Sequence, residues 1–324
     1  MTSTILRRLF QTAIAVLLMS ALVFSGLYLV GDPISMLASP EASELERAAI
    51  RQHLGLDQPL WRQYIIFLSQ AIHLDFGTSF LNGESAMRLI LERMPATLEI
   101  ATLAMLLSLL LGVPLGIYAG LYPNGLGARS VMASSILGFS LPNFWVGLML
   151  IMVFAVMLGW LPAGGRGPTQ SFGPIELSVF TWAGLKHVLL PATTIAVAKC
   201  ALIIRVTRAA TRECLPQDYI KFARAKGLKE KRVLGVHLLK NILIPIITIG
   251  GLEYGQIIAF AVVTETVFSW PGMGKLLIDS IVTLDRPVVV AYLMLTVLLL
   301  ALLNLVVDLL YTVLDPRVRL GGAK

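Results

Sequence analysis

From Tyr219 to Gly251 the chain reads YIKFARAKGLKEKRVLGVHLLKNILIPIITIGG, with seven Lys and Arg side chains before residue 241 and none in the eleven residues after it. A dense cationic cluster set hard against residues suited only to hydrocarbon marks a membrane boundary. The rest of the 324 residues agree: 56% are hydrophobic and only 14% charged, far from the composition of a water-soluble domain.

Working outward, runs without Asp, Glu, Lys or Arg cover Leu9–Gly31, Ile100–Tyr122, Ser130–Gly165 and Pro287–Val307. Each is long enough to cross a bilayer, which takes about 20 residues. Two further spans tolerate charges: Val188–Thr207, holding Lys199 and Arg205, and Ile242–Phe268, holding Glu253 and Glu265. Backbone amides facing lipid must be satisfied within their own segment, and these runs lack the alternation of barrel strands. The expected fold is therefore an all-α polytopic membrane protein with six transmembrane helices.

Positive charge orients it. The N-terminus, the Arg129 loop, the stretch Arg205–Lys240 and the C-terminal tail together carry sixteen Lys and Arg, against nine in the other connections. Both termini and the basic stretch are then cytoplasmic, and the long first loop, about Gly31 to Pro95, is extracytoplasmic. The net charge of +7 is mostly a topological signal, with no nucleic-acid partner implied. Arg7 and Arg8 precede the first apolar run as in a signal peptide, but the run exceeds a signal core and no small-x-small cleavage site follows, so it reads as a retained span. Cys200 and Cys214 fall in a helix and on the cytoplasmic side, which speaks against a structural disulfide.

Within the first loop, SELERAAIRQHLGL and QPLWRQYIIFLSQAI have apolar residues at helical spacing and read as amphipathic helices on the outer surface. Pro95 is expected to open the second span at its first turn. Pro114 and Pro142 predict kinks or broken ends. Gly112, Gly116 and Gly120, four apart, form one small face that lets helices approach closely in lipid. Two domains follow: 1–95, the first helix with its outer loop, and 96–324, a five-helix core with a cytoplasmic loop at about 208–241.

Lys199 and Glu253 lie near mid-span, where a charge costs at least about 2.5 kcal/mol. Counted from the cytoplasmic ends their depths differ by only about 5 Å. They are expected to face each other between the fourth and fifth spans or to share one wet cavity; the alternative is a snorkelling lysine and a lone protonated glutamate. Glu99, Glu265 and Asp308 fall in end turns, near water and headgroups, and read as structural.

Enzyme motifs are missing from the sequence: no His-Glu-x-x-His zinc pair, no Gly-x-Ser-x-Gly turn and no Gly-x-x-x-x-Gly-Lys-Ser/Thr phosphate loop. Metal and nucleotide chemistry by this chain are excluded on that reading. In the opening stretch, Tyr219, Phe222, Ala223 and Ala225 make an apolar patch ringed by Lys221, Arg224 and Lys226, and Gly227 interrupts the helix before LKEKRVLGVHLL resumes it. Two short helices about a glycine suit a groove on a soluble partner better than a headgroup layer, although basic amphipathic segments also rest on membrane lipid.

These residues carry a resemblance. DYIKFARAKGL followed by HLLKNILIPIIT resembles the coupling (EAA) loop of ABC-importer permeases of the dipeptide/oligopeptide/nickel family. LGLDQPLWRQY, DFGTSF, RMPATLEI, TETVFSWPGMGKL and NLVVDLLYTVLDPRVR resemble further family stretches in the expected order. The resemblance implies an inner-membrane permease subunit, half of a translocation pathway for peptides or similar small solutes. Its partners would be a homologous second permease, two cytoplasmic ATPase subunits and an extracytoplasmic substrate-binding protein. This chain would bind no cofactor, ATP and Mg residing on the ATPases. Carried over, the coupling residues are Tyr219, Phe222, Ala223, Ala225, Lys226 and Gly227, with Lys221 where the name-giving acid would stand. The family tends to have an uncharged residue where Glu253 stands and an apolar or small one where Lys199 stands. The rival reading is an ion-coupled secondary transporter or channel that uses that pair directly.

Overall fold

The computed structural model describes residues 2–30, 34, 43–53 and 57–314. The basic tail residues Arg317, Arg319 and Lys324, and the side chains of Arg7, Arg8 and Asp308, lie outside the described residues. In chain order the helices are α1 (Thr2–Val30), α2 (Glu44–His53), α3 (Leu60–Ile72), α4 (Ala86–Leu121), α5 (Leu126–Ser140), α6 (Asn143–Leu150) and α7 (Trp182–Cys214). Next come α8 (Asp218–Ala225), α9 (Glu230–Phe260), α10 (Val262–Val267), α11 (Met273–Val282) and α12 (Arg286–Leu314). A π-helical turn, Ile151–Met157, prolongs α6, and strands β1 (Gln170–Phe172) and β2 (Ile175–Leu177) pair antiparallel before α7.

Among the described residues, four helices, α4, α7, α9 and α12, are long and apolar enough to cross a membrane, or five if the bent pair α5–α6 makes one span. The sequence reading had six. Two places account for the difference: α1 is apolar only over Ala13–Gly26 among the described side chains, and the expected single span Ser130–Gly165 breaks at Pro142, where its halves diverge by 105°. Pro142 sits at the N-cap of α6 with an extended ψ of 135°, and the residue before a proline is itself pushed out of the α region. Pro114, by contrast, lies in an unbroken helix.

Pro95 is likewise interior, because α4 begins at Ala86. Residues 86–94 favour helix independently of the proline: Ala86, Met87 and Ile90 are buried, and Arg88 pairs with Glu92 at 2.8 Å, one turn along.

The chain forms two compact units, one of 1–95 with 271–301, the other of 96–270 with 302–324. In the first, Val23, Val290 and Met294 form a core edged by Val16, Met19, Phe67, Phe76 and Leu293. The Phe24 and Tyr64 rings meet at a tilt of 57° with centroids 5.3 Å apart, and the Tyr64 hydroxyl shares a 2.8 Å hydrogen bond with Ser20. Asp285, buried, accepts from the Ser79 hydroxyl and, at 3.1 Å, from the Phe80 amide.

The second unit is built on a close seam between α4 and α7. A Cβ placed on Gly112 would lie 2.8 Å from Ile203 Cγ2, on Gly116 2.5 Å from Thr207 Cβ, and on Gly120 2.7 Å from Thr211 Cβ. Nothing larger than hydrogen fits there, which is why the four-residue spacing repeats on both helices. Gly138 of α5 packs on Val197 of α7, and Gly147 of α6 on Phe268 and Thr194.

Candidate functional site

The basic element between the spans is α8 with the turn after it. Its inner face, Ile220 and Ala223, is buried with Ala210, Val233, Leu238, Ile242 and Ile246, and Leu109, Val113, Ile117 and Leu228 pack around them. The helix is thus seated on the chain's own spans. Outward it presents Phe222, 61% exposed, with Tyr219, Ala225 and Lys226 also exposed. The Lys226 ammonium lies 4.5 Å from the Phe222 ring centroid, a cation–π contact.

Gly227 stops the helix with a φ of +73°, a conformation that costs a side-chain-bearing residue about 1–2 kcal/mol. Its amide donates to Arg224 O at 2.9 Å, and the Leu228 amide donates to Ala223 O at 3.3 Å. Those two bonds, with Leu228 packed on the core, are the Schellman arrangement for closing a helix. Arg224 and Glu230 pair at 2.8 Å across the turn. The glycine therefore makes a braced corner. Beyond it the sequence suggests a second short helix, whereas the structure has one helix, Glu230–Phe260, running into the membrane with a π-helical turn at Val233–Leu238.

Within the sequence-derived set, the structure separates two kinds of residue. Ala223 is 3% exposed and packs inward, so it seats the helix, while Phe222 and Lys226 face out. Ile220, fully buried, was missed by the sequence reading; its signal was the i, i+3 spacing to Ala223, which places both on one helical face.

In mid-span the Lys199 ammonium of α7 donates to Glu253 Oε2 of α9. Their side chains keep 19% and 14% of their exposure, so the pair is partly open. The two residues the sequence singled out as costly charges are thus brought into contact.

A third cluster was not foreseen. Glu99 is nearly buried and accepts from Arg166 Nη2 at 2.8 Å and Nε at 3.1 Å, from the Ser178 amide and hydroxyl, and from the Val179 amide at 3.2 Å. Arg166 Nη2 also donates to Glu176 O at 2.6 Å. This carboxylate ties the segment containing β1 and β2 to α4. Glu265 is fully buried and accepts from the Thr97 hydroxyl at 2.6 Å, and the buried Trp270 indole donates to Ala96 O at 2.9 Å. Glu99 and Glu265 are held by protein groups, in keeping with the structural part expected of them. Arg166 was the readable sign: it follows a 36-residue run without charge.

Helices long and apolar enough to cross a membrane, with an amphipathic helix seated on them, define a polytopic helical membrane protein. Solved structures show the same fold: a chain of the inward-facing MetNI methionine ABC transporter aligns with a TM-score of 0.57 at 17% identity, covering 71% of this chain and 97% of that one. The chain belongs to the family of binding-protein-dependent transport system inner membrane components, matched over residues 112–320, with that family's N-terminal region matched over 1–101. It is therefore a multi-pass protein of the bacterial inner membrane. Relatives include the di/tripeptide transport system permease DppB of Pseudomonas aeruginosa strain UCBPP-PA14, 39% identical over 89% of this chain and 90% of that protein. The oligopeptide permease AppB of Bacillus subtilis strain 168 is 38% identical over 89% and 90%. The dipeptide permease DppB of Escherichia coli K12 is 35% identical over 98% of this chain and 99% of its own length.

Proposed function

We propose that this chain is the permease subunit of an ATP-driven importer for peptides or similar small solutes and forms half of its translocation pathway. The observation that carries this is identity of 35% along 98% of the chain with a dipeptide permease, in a chain that sets out an aromatic, cationic helix beside its spans. That combination favours the importer over an ion-coupled transporter. The full arrangement is six spans, both termini cytoplasmic and a long extracytoplasmic first loop, with 1–95 as first helix and loop and 96–324 as a five-helix core.

In this reading a homologous permease supplies the other half of the pathway. Two cytoplasmic ATPase subunits, which carry ATP and Mg, receive the 217–240 segment, and an extracytoplasmic binding protein delivers the solute. Phe222, Tyr219, Ala225 and Lys226 enter the ATPase groove, while Ile220 and Ala223 hold α8 to the spans. The braced corner at Gly227 and the continuous α9 convert movement of the ATPase into tilt of α7 and α9, because neither the turn nor the helix offers a joint where the motion would be absorbed. Closing of the ATPases on ATP opens the pathway outward, and hydrolysis resets it.

The test is reconstitution of the four membrane and ATPase subunits with the binding protein in proteoliposomes. Peptide uptake that needs both ATP and the binding protein supports the reading. Uptake by this chain alone, driven by an ion gradient without ATP, refutes it.

A further inference from the structure

The open edge of the Lys199–Glu253 pair faces a particular side of α9. Other sides of that helix are taken up: Gly250 faces Leu109 of α4, the Tyr254 hydroxyl shares a 2.9 Å hydrogen bond with Thr102 of α4, and a Cβ on Gly251 would collide with Val307 of α12. What stays open is the stripe Leu252, Gln256 and Phe260, one turn apart, with Glu253 along its edge. A glutamine and a partly open ion pair at this depth are costly against hydrocarbon, so polar side chains there face a wet passage or another protein.

We infer that Lys199, Glu253 and Gln256 form a pathway site for the two charged ends of a zwitterionic peptide; this rests on the importer reading. Charge balance selects the ligand class. The resting site holds one cation and one anion and is neutral. An anionic solute on Lys199 leaves Glu253 unpaired, and a cationic solute on Glu253 leaves Lys199 unpaired, each a buried charge without a partner. A zwitterion opens one ion pair and makes two: its carboxylate on Lys199, its ammonium on Glu253, the amide of Gln256 beside them. The four-carbon stem of lysine lets the cation swing aside, and a dipeptide spans only about 7 Å. With no ligand the pair closes on itself, which keeps bare charge out of the membrane.

The experiment uses the reconstituted transporter with one unchanged binding protein, so upstream selection cancels between permease variants. Uptake per loaded binding protein is measured for Ala-Ala, N-acetyl-Ala-Ala and Ala-Ala-amide. The neutral double variant Lys199→Met/Glu253→Gln is expected to lose preference for the free peptide over either blocked one by about tenfold or more, the scale on which lost polar partners discriminate. The reversed variant Lys199→Glu/Glu253→Lys regains it, since a zwitterion turned end for end meets the same pair. Unchanged preference in the double variant, or an assembled reversed variant that fails to regain it, overturns the proposal and leaves the pair as a helix tie. A wild-type complex that imports nothing with ATP refutes the importer reading, and this one with it.

Discussion

Removing the phenyl ring of Phe222 separates a residue that docks a partner from one that holds the permease together. The side chain is 61% exposed in this chain. An enclosed aromatic buries 150–250 Å², so roughly 120 Å² of Phe222 remains to be covered by a partner. At about 25 cal/mol per Å² this corresponds to about 3 kcal/mol, roughly a hundredfold in affinity. Phe222→Ala is therefore expected to weaken binding of the ATPase subunits to the permease pair in nanodiscs about a hundredfold. The melting temperature of the permease itself should barely move, because exposed substitutions usually stay within about 0.5 kcal/mol. Ile220→Ala, two residues away and fully buried, should do the reverse first: it loses about 2–5 kcal/mol of local packing and releases α8 from its seat. Binding would be titrated with labelled ATPase and stability followed by thermal unfolding. Equal affinities for wild type and Phe222→Ala, or a loss of permease stability matching that of Ile220→Ala, would refute the division of labour within this helix.

Further outcomes follow from the packing. Gly116→Leu should prevent accumulation of folded protein, since even its Cβ would stand 2.5 Å from Thr207 Cβ and 2.8 Å from the Ile204 carbonyl oxygen, whereas Gly250→Ala, with its nearest neighbour at 4.0 Å, should elute normally in detergent. Glu99→Gln strips the carboxylate from Arg166, whose side chain is only 13% exposed, and should lower thermal stability by about 3–5 kcal/mol; Glu99→Leu/Arg166→Met should not restore it, because the Ser178 and Val179 amides lose their acceptor. At Gly227, alanine forced to φ +73° costs about 1–2 kcal/mol and should slow peptide uptake, and proline, which cannot adopt a positive φ, should abolish it while insertion into the membrane is unaffected.

Much of the architecture was readable because lipid leaves a chain few choices. Apolar runs of bilayer length favour helices, and α4 and α12 stand on uncharged runs while α7 and α9 stand on the two spans that tolerate charges. The amphipathic pieces of the first loop became α2 and α3 because their apolar residues recur at helical spacing. Element ends were harder. Pro95 carried a start signal that the helix ignores, because Ala86, Met87 and Ile90 find buried neighbours upstream, and burial outweighs a proline's preference. Pro142 broke its span and Pro114 did not, although the two look alike in sequence.

The sites divide in the same way. Lys199 and Glu253 were legible as intramembrane charges at similar depth, since a mid-span charge advertises its own cost. Glu99 and Arg166 were not, as they are 67 residues apart in chain and only the route of the strap containing β1 and β2 joins them. Composition and charge by themselves determined that this is a helical membrane protein with a basic segment between spans, because hydropathy and charge act residue by residue. Which side chain of that segment seats the helix and which projects from it, whether Gly227 bends or braces, and which carboxylate meets which cation were decided by tertiary structure alone, because each depends on what distant residues the folded chain brings within a few ångströms.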